Sequence, residues 1–174
     1  MAEQPPSEPA TGVSLEPVSW ARDRERLAGW LASPAVSRWW GDPQDCLEEI
    51  RRTGDDGHAL IALDGLAIGY IRWQAVARKT LDEVGLGDIA DGSIDIDLFI
   101  GEAGQRGRGL ATHVLTLLIE RLARDTQAPA AGLCVSVDNH AAIRAYRKAG
   151  FEQAARFDDP TFGPCFVFLR ALRR

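Results

Sequence analysis

Lysine is nearly missing from this chain. Lys79 and Lys148 are the only two among 20 basic residues, so arginine supplies the positive charge. Against 25 acidic residues this leaves a formal net charge of -5. A general nucleic-acid binder needs a basic footprint, and this balance argues against one. Cysteine is scarce too. Cys46, Cys134 and Cys165 stand far apart without a CxxC pair, which argues against a disulfide framework or a structural zinc site. His58, His113 and His140 do not cluster with them, and no metal is expected. A reducing cytoplasm fits this cysteine usage. No run approaches the roughly 18 apolar residues that cross a bilayer, so no membrane partner is expected. The opening "MAEQPPSEPATG" is polar and proline-rich, without the apolar stretch of a signal peptide. It reads as a disordered tail over residues 1–12, ahead of a single domain over 13–174.

What remains is the make-up of an ordinary soluble domain, 45% apolar and 26% charged. "VSLEPVS" (13–19) alternates as a short strand, and Trp20, Leu27, Trp30 and Leu31 recur at helical spacing. "VSRWWG" follows as a short segment with paired tryptophans. "DPQDCLEEIRR" offers Asp42 as N-cap and Pro43 at the first helical position. Two β-rich runs, "HALIAL" and "LAIGYIRWQAV", flank Asp64-Gly65 and predict a hairpin. Residues 78–92 read as irregular. "SIDIDLFI" (93–100) alternates, with Ile94, Ile96, Leu98 and Ile100 on one face and Asp95, Asp97 and Phe99 on the other. Leu110, Val114, Leu117 and Leu118 then form one face of a helix running to about Arg124. "AGLCVSV" is an apolar strand, "NHAAIRAYRKAG" a helix closed by Gly150, and "FEQAARF" and "FVFLRAL" two last strands. The expected fold is α/β (α+β), with helices around one central sheet.

The stretch "QRGRGLA" (105–111) precedes the long helix. Gly107 and Gly109 let backbone approach a ligand, and a helix N-terminus presents free amides and a positive dipole end to a phosphate. Arg106 and Arg108 are placed to add charge-assisted contacts. The stretch is neither a P-loop nor a dinucleotide fingerprint. On these seven residues a solvated arginine turn is an equal reading.

A second segment, "VDNHAAIRAYRKAGF" (137–151), changes that balance. Together the two resemble the GCN5-related N-acetyltransferase (GNAT) superfamily. Arg106, Gly109 and Ala111 match its acetyl-CoA signature; Asn139, Ala142, Tyr146, Lys148, Gly150 and Phe151 match its later block. Within it the chain is most similar to the aminoglycoside 6′-N-acetyltransferase group and its siderophore-pathway relatives, through "VSRWWGD", "IGY", the acidic strand and "AIRAYRKAGF". The resemblance spans roughly residues 13–172. It implies a single mixed, mostly antiparallel sheet flanked by helices, acetyl-CoA as cosubstrate and no metal. It also implies that Arg106, Gly107, Arg108, Gly109, Leu110, Ala111 and Thr112 hold the CoA pyrophosphate. Backbone at Phe99 and Ile100 would polarise the thioester carbonyl and pair with the pantetheine arm. Asn139 and Ala142 would also touch that arm, and Asn139 is equally an N-cap candidate.

The same resemblance makes Asp97, ten residues before Gly107, the base, and Tyr146 the acid that protonates the leaving sulfur. Asp95 shares its face, and two close carboxylates raise one proton affinity. Both aspartates read alternatively as a solvated strand face. His113 and His140 read as surface or packing histidines. From Thr80 to Gln105 there is no lysine or arginine, and the acids of that stretch form a wall that would attract a polycationic amine. Asp159 would extend it from the last hairpin, and Trp40 and Trp73 would flank a sugar ring. Core packing is the other reading for the tryptophans. The expected substrate is the primary amine of an aminoglycoside-like polycation. Siderophore precursors, other small amines or peptides are alternatives, as is a non-catalytic acyl-CoA-binding module. The enzyme is expected to act as a monomer or homodimer.

Overall fold

The computed structural model describes residues 12–54 and 57–173. Residues 1–11, most of the expected tail, lie outside the described residues.

The hairpin forms as its turn dictates. β2 (His58–Leu63) and β3 (Leu66–Ala75) pair antiparallel around Asp64 and Gly65, both at positive φ. β1 (Val13–Glu16) adds to β2, and β4 (Ile94–Ile100) pairs along β3 from Ala75–Ile94 to Gly69–Ile100. β5 (Ala130–Ser136), β6 (Glu152–Asp159) and β7 (Gly163–Ala171) complete seven strands in the order β1-β2-β3-β4-β5-β7-β6. Every neighbouring pair is antiparallel except β4–β5, so the sheet is mixed and mostly antiparallel.

The β4–β5 pairing is also the shortest. It covers only Ile94–Ala131 and Asp95–Gly132, after which the strands part. The outer neighbours stay paired: β3 follows β4 to Ile100, and β7 follows β5 to Ser136. The sheet therefore opens into a V at its centre.

Helices cover both faces. α1 (Trp20–Ala32), α2 (Pro34–Trp40) and α3 (Pro43–Arg52) pack Leu27, Trp30, Val36 and Ile50 onto Leu60, Tyr70 and Phe99. α5 (Leu110–Asp125) and α6 (His140–Lys148) cover the other face, burying Val114, Leu118 and Ile143 against Ile71, Ile96 and Leu133. Asp42 caps α3 as its position predicts, accepting from the amides of Gln44 and Asp45. Gly150 ends α6 at φ 79°.

Two helices depart from the expected pattern. The tryptophan segment is α2, seven residues begun by Ser33 and Pro34, a start signal that lay in plain sight. Residues 78–92 open with α4 (Arg78–Glu83) and are ordered by one side chain. The Arg78 guanidinium donates to the carbonyls of Gly87 and Ile89, while Leu81, Leu86 and Ile89 pack on Val167. Pieces this short carry too few turns for periodicity to register.

After β4, Gly101 sits under the Trp30 indole, and a Cβ there would fall 2.2 Å from its Cδ2. Gly101→Ala is expected to cost about 1–3 kcal/mol by overpacking, read as a lower urea midpoint. Gly104→Ala, with nothing within 4 Å, is expected to leave the midpoint in place.

Candidate active site

The V opens into a cleft of about 580 Å³. Its lips follow from ladder parity. Val76 N–H donates to Ser93 O and Gly101 N–H to Ile68 O, so the odd-numbered residues of β4 turn their backbone groups to β3. Leu98 and Ile100 then turn theirs into the gap, whereas Phe99 does not. The strand edge expected at Phe99 and Ile100 is thus supplied by Leu98 and Ile100, with the Phe99 ring packed among Trp30, Trp40 and Tyr70.

One end of the cleft is the glycine loop. Gly107 and Gly109 take φ 73° and 76°, and an added Cβ would meet nothing within 4 Å. Backbone conformation, not crowding, is what calls for glycine there. The amides of Gly107, Arg108, Gly109, Leu110 and Ala111 have no acceptor among the described residues. Five successive free N–H groups at the start of a 16-residue helix make an anion cradle. Leu110, Ala111 and Thr112 line the cleft; the Thr112 hydroxyl donates to Ala145 O.

The two arginines of the loop behave differently from expectation. Arg106 spends its guanidinium on the end of β4, donating from Nε to Ile100 O at 2.9 Å and from Nη2 to Gly101 O at 2.6 Å. It fixes the lip rather than offering a free charge. Arg108 is exposed and outside the cleft wall, and it donates to the side chain of Gln105, which lines the cleft.

Asp97 and Trp40 line one wall; Tyr146, Asn139 and Ala142 line the opposite one. Asp97 Oδ2 accepts from Arg72 Nε at 2.8 Å, and its Oδ1 has no protein partner among the described residues. Asp95 sits one step deeper, at the last β4–β5 pair, half-buried and outside the cleft wall itself. Burial and the Asp97 charge push its carboxyl up to about 7, while Arg72 pulls it down. Tyr146 is 8% exposed and its hydroxyl has no protein partner among the described residues. Burial, then the charges of Asp97, Cys134 and Asp95, raise its phenol far above the ordinary range. Asn139 caps α6, its side chain accepting from Ala142 N at 3.2 Å.

Asp159 lines the cleft mouth, with Oδ1 engaged by the amides of Thr161 and Phe162. Trp73 is a correction. It pairs with Ile96, not with an aspartate, so strand alternation puts it on the α5 face, where Arg121 covers its ring at 5.4 Å. It does not line the cleft. The acidic wall shrinks likewise: Asp82 and Asp91 pair with Arg78 and Glu83 with Lys79, none of them in the cleft wall.

A splayed sheet with an anion cradle at the head of one helix and a buried phenol on the next is a construction with known counterparts. A family model described as an acetyltransferase (GNAT) domain matches residues 19–159. This chain belongs to the GNAT acetyltransferase family. As a GNAT enzyme it is an N-acetyltransferase. An aminoglycoside N(6′)-acetyltransferase type 1 from Klebsiella pneumoniae is 29% identical over 163 residues, covering 85% of this chain and 78% of that protein. A kanamycin resistance protein from Rhizobium radiobacter is 37% identical over 75 residues, 43% of this chain and 68% of that protein. The crystal structure of aminoglycoside acetyltransferase AAC(6′)-Ib with coenzyme A and kanamycin matches at TM-score 0.73 and 26% identity, covering 91% of this chain and 94% of that one.

Three residues at this GNAT site escape a reading by motif: Arg72, Glu49 and Cys134. Arg72 carried a signal, since an arginine inside an apolar central strand demands a partner. Cys134 lines the cleft, and the surrounding protein together with Asp95 and Asp97 raises its thiol.

The raised Asp95 carboxyl has a sign. Its folded state holds a proton that the unfolded chain releases near pH 4, so it weakens the fold as pH climbs from there through about 7. Asp95→Asn is expected to raise Tm over wild type clearly more at pH 8 than at pH 5, measured by calorimetry. An equal effect at both pH values would refute the shift.

Proposed function

We propose that this enzyme moves the acetyl group of acetyl-CoA to a primary amine of an aminoglycoside, as a 6′-N-acetyltransferase. The observation that carries the reading is the V between β4 and β5, with Asp97 on one lip, Tyr146 on the other and five free amides at its end. The 29% identical Klebsiella pneumoniae relative, matched over most of both chains, supports the substrate class.

The parts fit the cosubstrate. The amide cradle suits a pyrophosphate, and the unpaired backbone groups of Leu98 suit an amide of a pantetheine arm laid as an extra strand. Acetyl-CoA supplies a thioester carbonyl. A free alkyl ammonium has a pKa of about 10.4 and is protonated at pH 7. Asp97 Oδ1 takes its proton, directly or through water. The amine nitrogen then bonds to the carbonyl carbon, while the Ile100 N–H polarises the carbonyl oxygen. The carbon–sulfur bond breaks, Tyr146 gives its proton to the sulfur, and the extra proton left on the new amide nitrogen passes to the tyrosinate, directly or through water. The raised Tyr146 phenol keeps the proton for the sulfur available at every working pH. Trp40 offers an apolar face to the acceptor, and Asp159 a carboxylate at the mouth.

A thiol-release assay with acetyl-CoA over aminoglycosides, polyamines and hydroxylysine tests this. Aminoglycosides are expected to be preferred, with Asp97→Asn and Tyr146→Phe each lowering turnover by about 100-fold or more. Acetylation of polyamines or hydroxylysine with none of any aminoglycoside would overturn the substrate. Tight CoA binding without turnover, unaffected by Tyr146→Phe, would overturn the enzyme.

A further inference from the structure

Arg72 occupies a position that catalysis by Asp97 alone does not explain. It lies on β3 directly opposite Asp97, on the same face. The parity of the β3–β4 ladder makes these two a hydrogen-bonded pair, so backbone and side chains are joined at one step of the sheet. Three contacts fix the guanidinium. Nε donates to Asp97 Oδ2 at 2.8 Å, Nη1 donates to Glu49 Oε2 at 2.8 Å, and Cζ lies 5.4 Å from the centroid of the Trp40 ring. Only 23% of the Arg72 side chain is exposed, against 58% for Glu49. The Trp40 ring is itself set edge-on against Phe99 at 4.9 Å.

We propose that Arg72 is the positioning residue of this active site: it pins one oxygen of Asp97 so that the other faces the acceptor amine in a single orientation. The inference rests on Asp97 being the base.

The physical case is geometric. A free aspartate turns about two side-chain torsions, and a base must reach its proton within hydrogen-bond distance. Oδ2 is held by a charge-assisted bond from a guanidinium that cannot itself swing, because Glu49 from α3 and the Trp40 ring from α2 hold its far side. Turning Asp97 would break that bond; leaving it in place commits Oδ1, which has no protein partner among the described residues, to the reaction. Exposed ion pairs are worth little. This one is largely withdrawn from water and ties three elements to the base.

Arg72 also sets the charge. Asp97 is faced by Tyr70 and Arg72 from β3, by Asp95 on its own strand, by Cys134 from β5 and by Tyr146 from α6, with Glu49 of α3 behind Arg72. Among these Arg72 is the one cation, and it opposes the mutual repulsion of Asp95 and Asp97.

The test compares kcat, KM and the pH profile of wild type, Arg72→Gln, Arg72→Lys and Asp97→Asn, using the best amine of the thiol-release panel. Arg72→Gln is expected to lower kcat about 10- to 100-fold. It is also expected to move the acid limb of kcat/KM up by about one pH unit, since a cation that favours ionised carboxylates is gone. Arg72→Lys restores the limb but not kcat, because a point charge lacks the planar fork. KM for acetyl-CoA and Tm stay near wild type. Wild-type kcat and limb in Arg72→Gln, with Asp97→Asn inactive, overturn the role of Arg72 alone. A lowered Tm with an unmoved limb makes Arg72 merely structural and overturns it equally. Full activity of Asp97→Asn removes the base, and the proposal with it.

Discussion

The parting of β4 from β5 is the constraint on which the site depends. Two pairs, Ile94–Ala131 and Asp95–Gly132, hold the halves of the sheet together, and everything chemical lies beyond them. The lips do not collapse because each is zipped to its outer neighbour, β4 to β3 and β5 to β7. Opening a sheet at its centre leaves backbone groups without partners, which is costly when they are kept from water. The chain answers that cost locally. Arg106 satisfies the Ile100 carbonyl, and the Asn139 amide satisfies Ser136 O as the chain turns into α6. What remains unpaired on the β4 lip, the groups of Leu98 and the Ile100 N–H, is what an extended ligand can use.

This recasts the basic residues around the site. Arginine was the abundant cation, and a motif reading assigned the loop arginines to phosphate. In the structure Arg106 braces a strand end, Arg78 orders an acidic loop and Arg72 clamps an aspartate. Each uses the guanidinium as a planar fork, the property that lysine lacks. The anion cradle is left to backbone amides, whose direction is set by two glycines at positive φ.

Much of the fold was legible because local rules and tertiary packing agree. The Asp64-Gly65 turn, the alternation of "SIDIDLFI", the Asp42 cap and the closing Gly150 each predict an element that forms. Parity also separates the aspartate face from the isoleucine face correctly. The failures share a cause. Trp73 went to the wrong face because its assignment needed the register of β3 against β4, which no single strand encodes. The acidic wall dissolved because Arg78 and Lys79, just outside the acidic run, reach back to neutralise it. Residues 34–40 and 78–83 are helical through packing and end contacts that periodicity does not see. Arg72 was missed because its partners, Asp97 and Glu49, are 25 and 23 residues away in sequence.

The charges at the V set the proposed acid, Tyr146, apart from the proposed base, Asp97. Asp95 and Asp97 stand two residues apart, and after burial it is the Asp97 charge that pushes the Asp95 carboxyl up. The Arg72 guanidinium bonds one of the two and not the other, so the pair is unequal. Asp97 meets the cleft with a paired oxygen and a free one, while Asp95 lies deeper with its carboxyl raised. Those same carboxylates, facing α6, raise the Tyr146 phenol beyond what burial does alone. The negative charge that would draw a cationic amine to one lip, as proposed, also keeps the proton on the other. A single acidic strand supplies both effects, and it can do so only because β5 has moved out of its way.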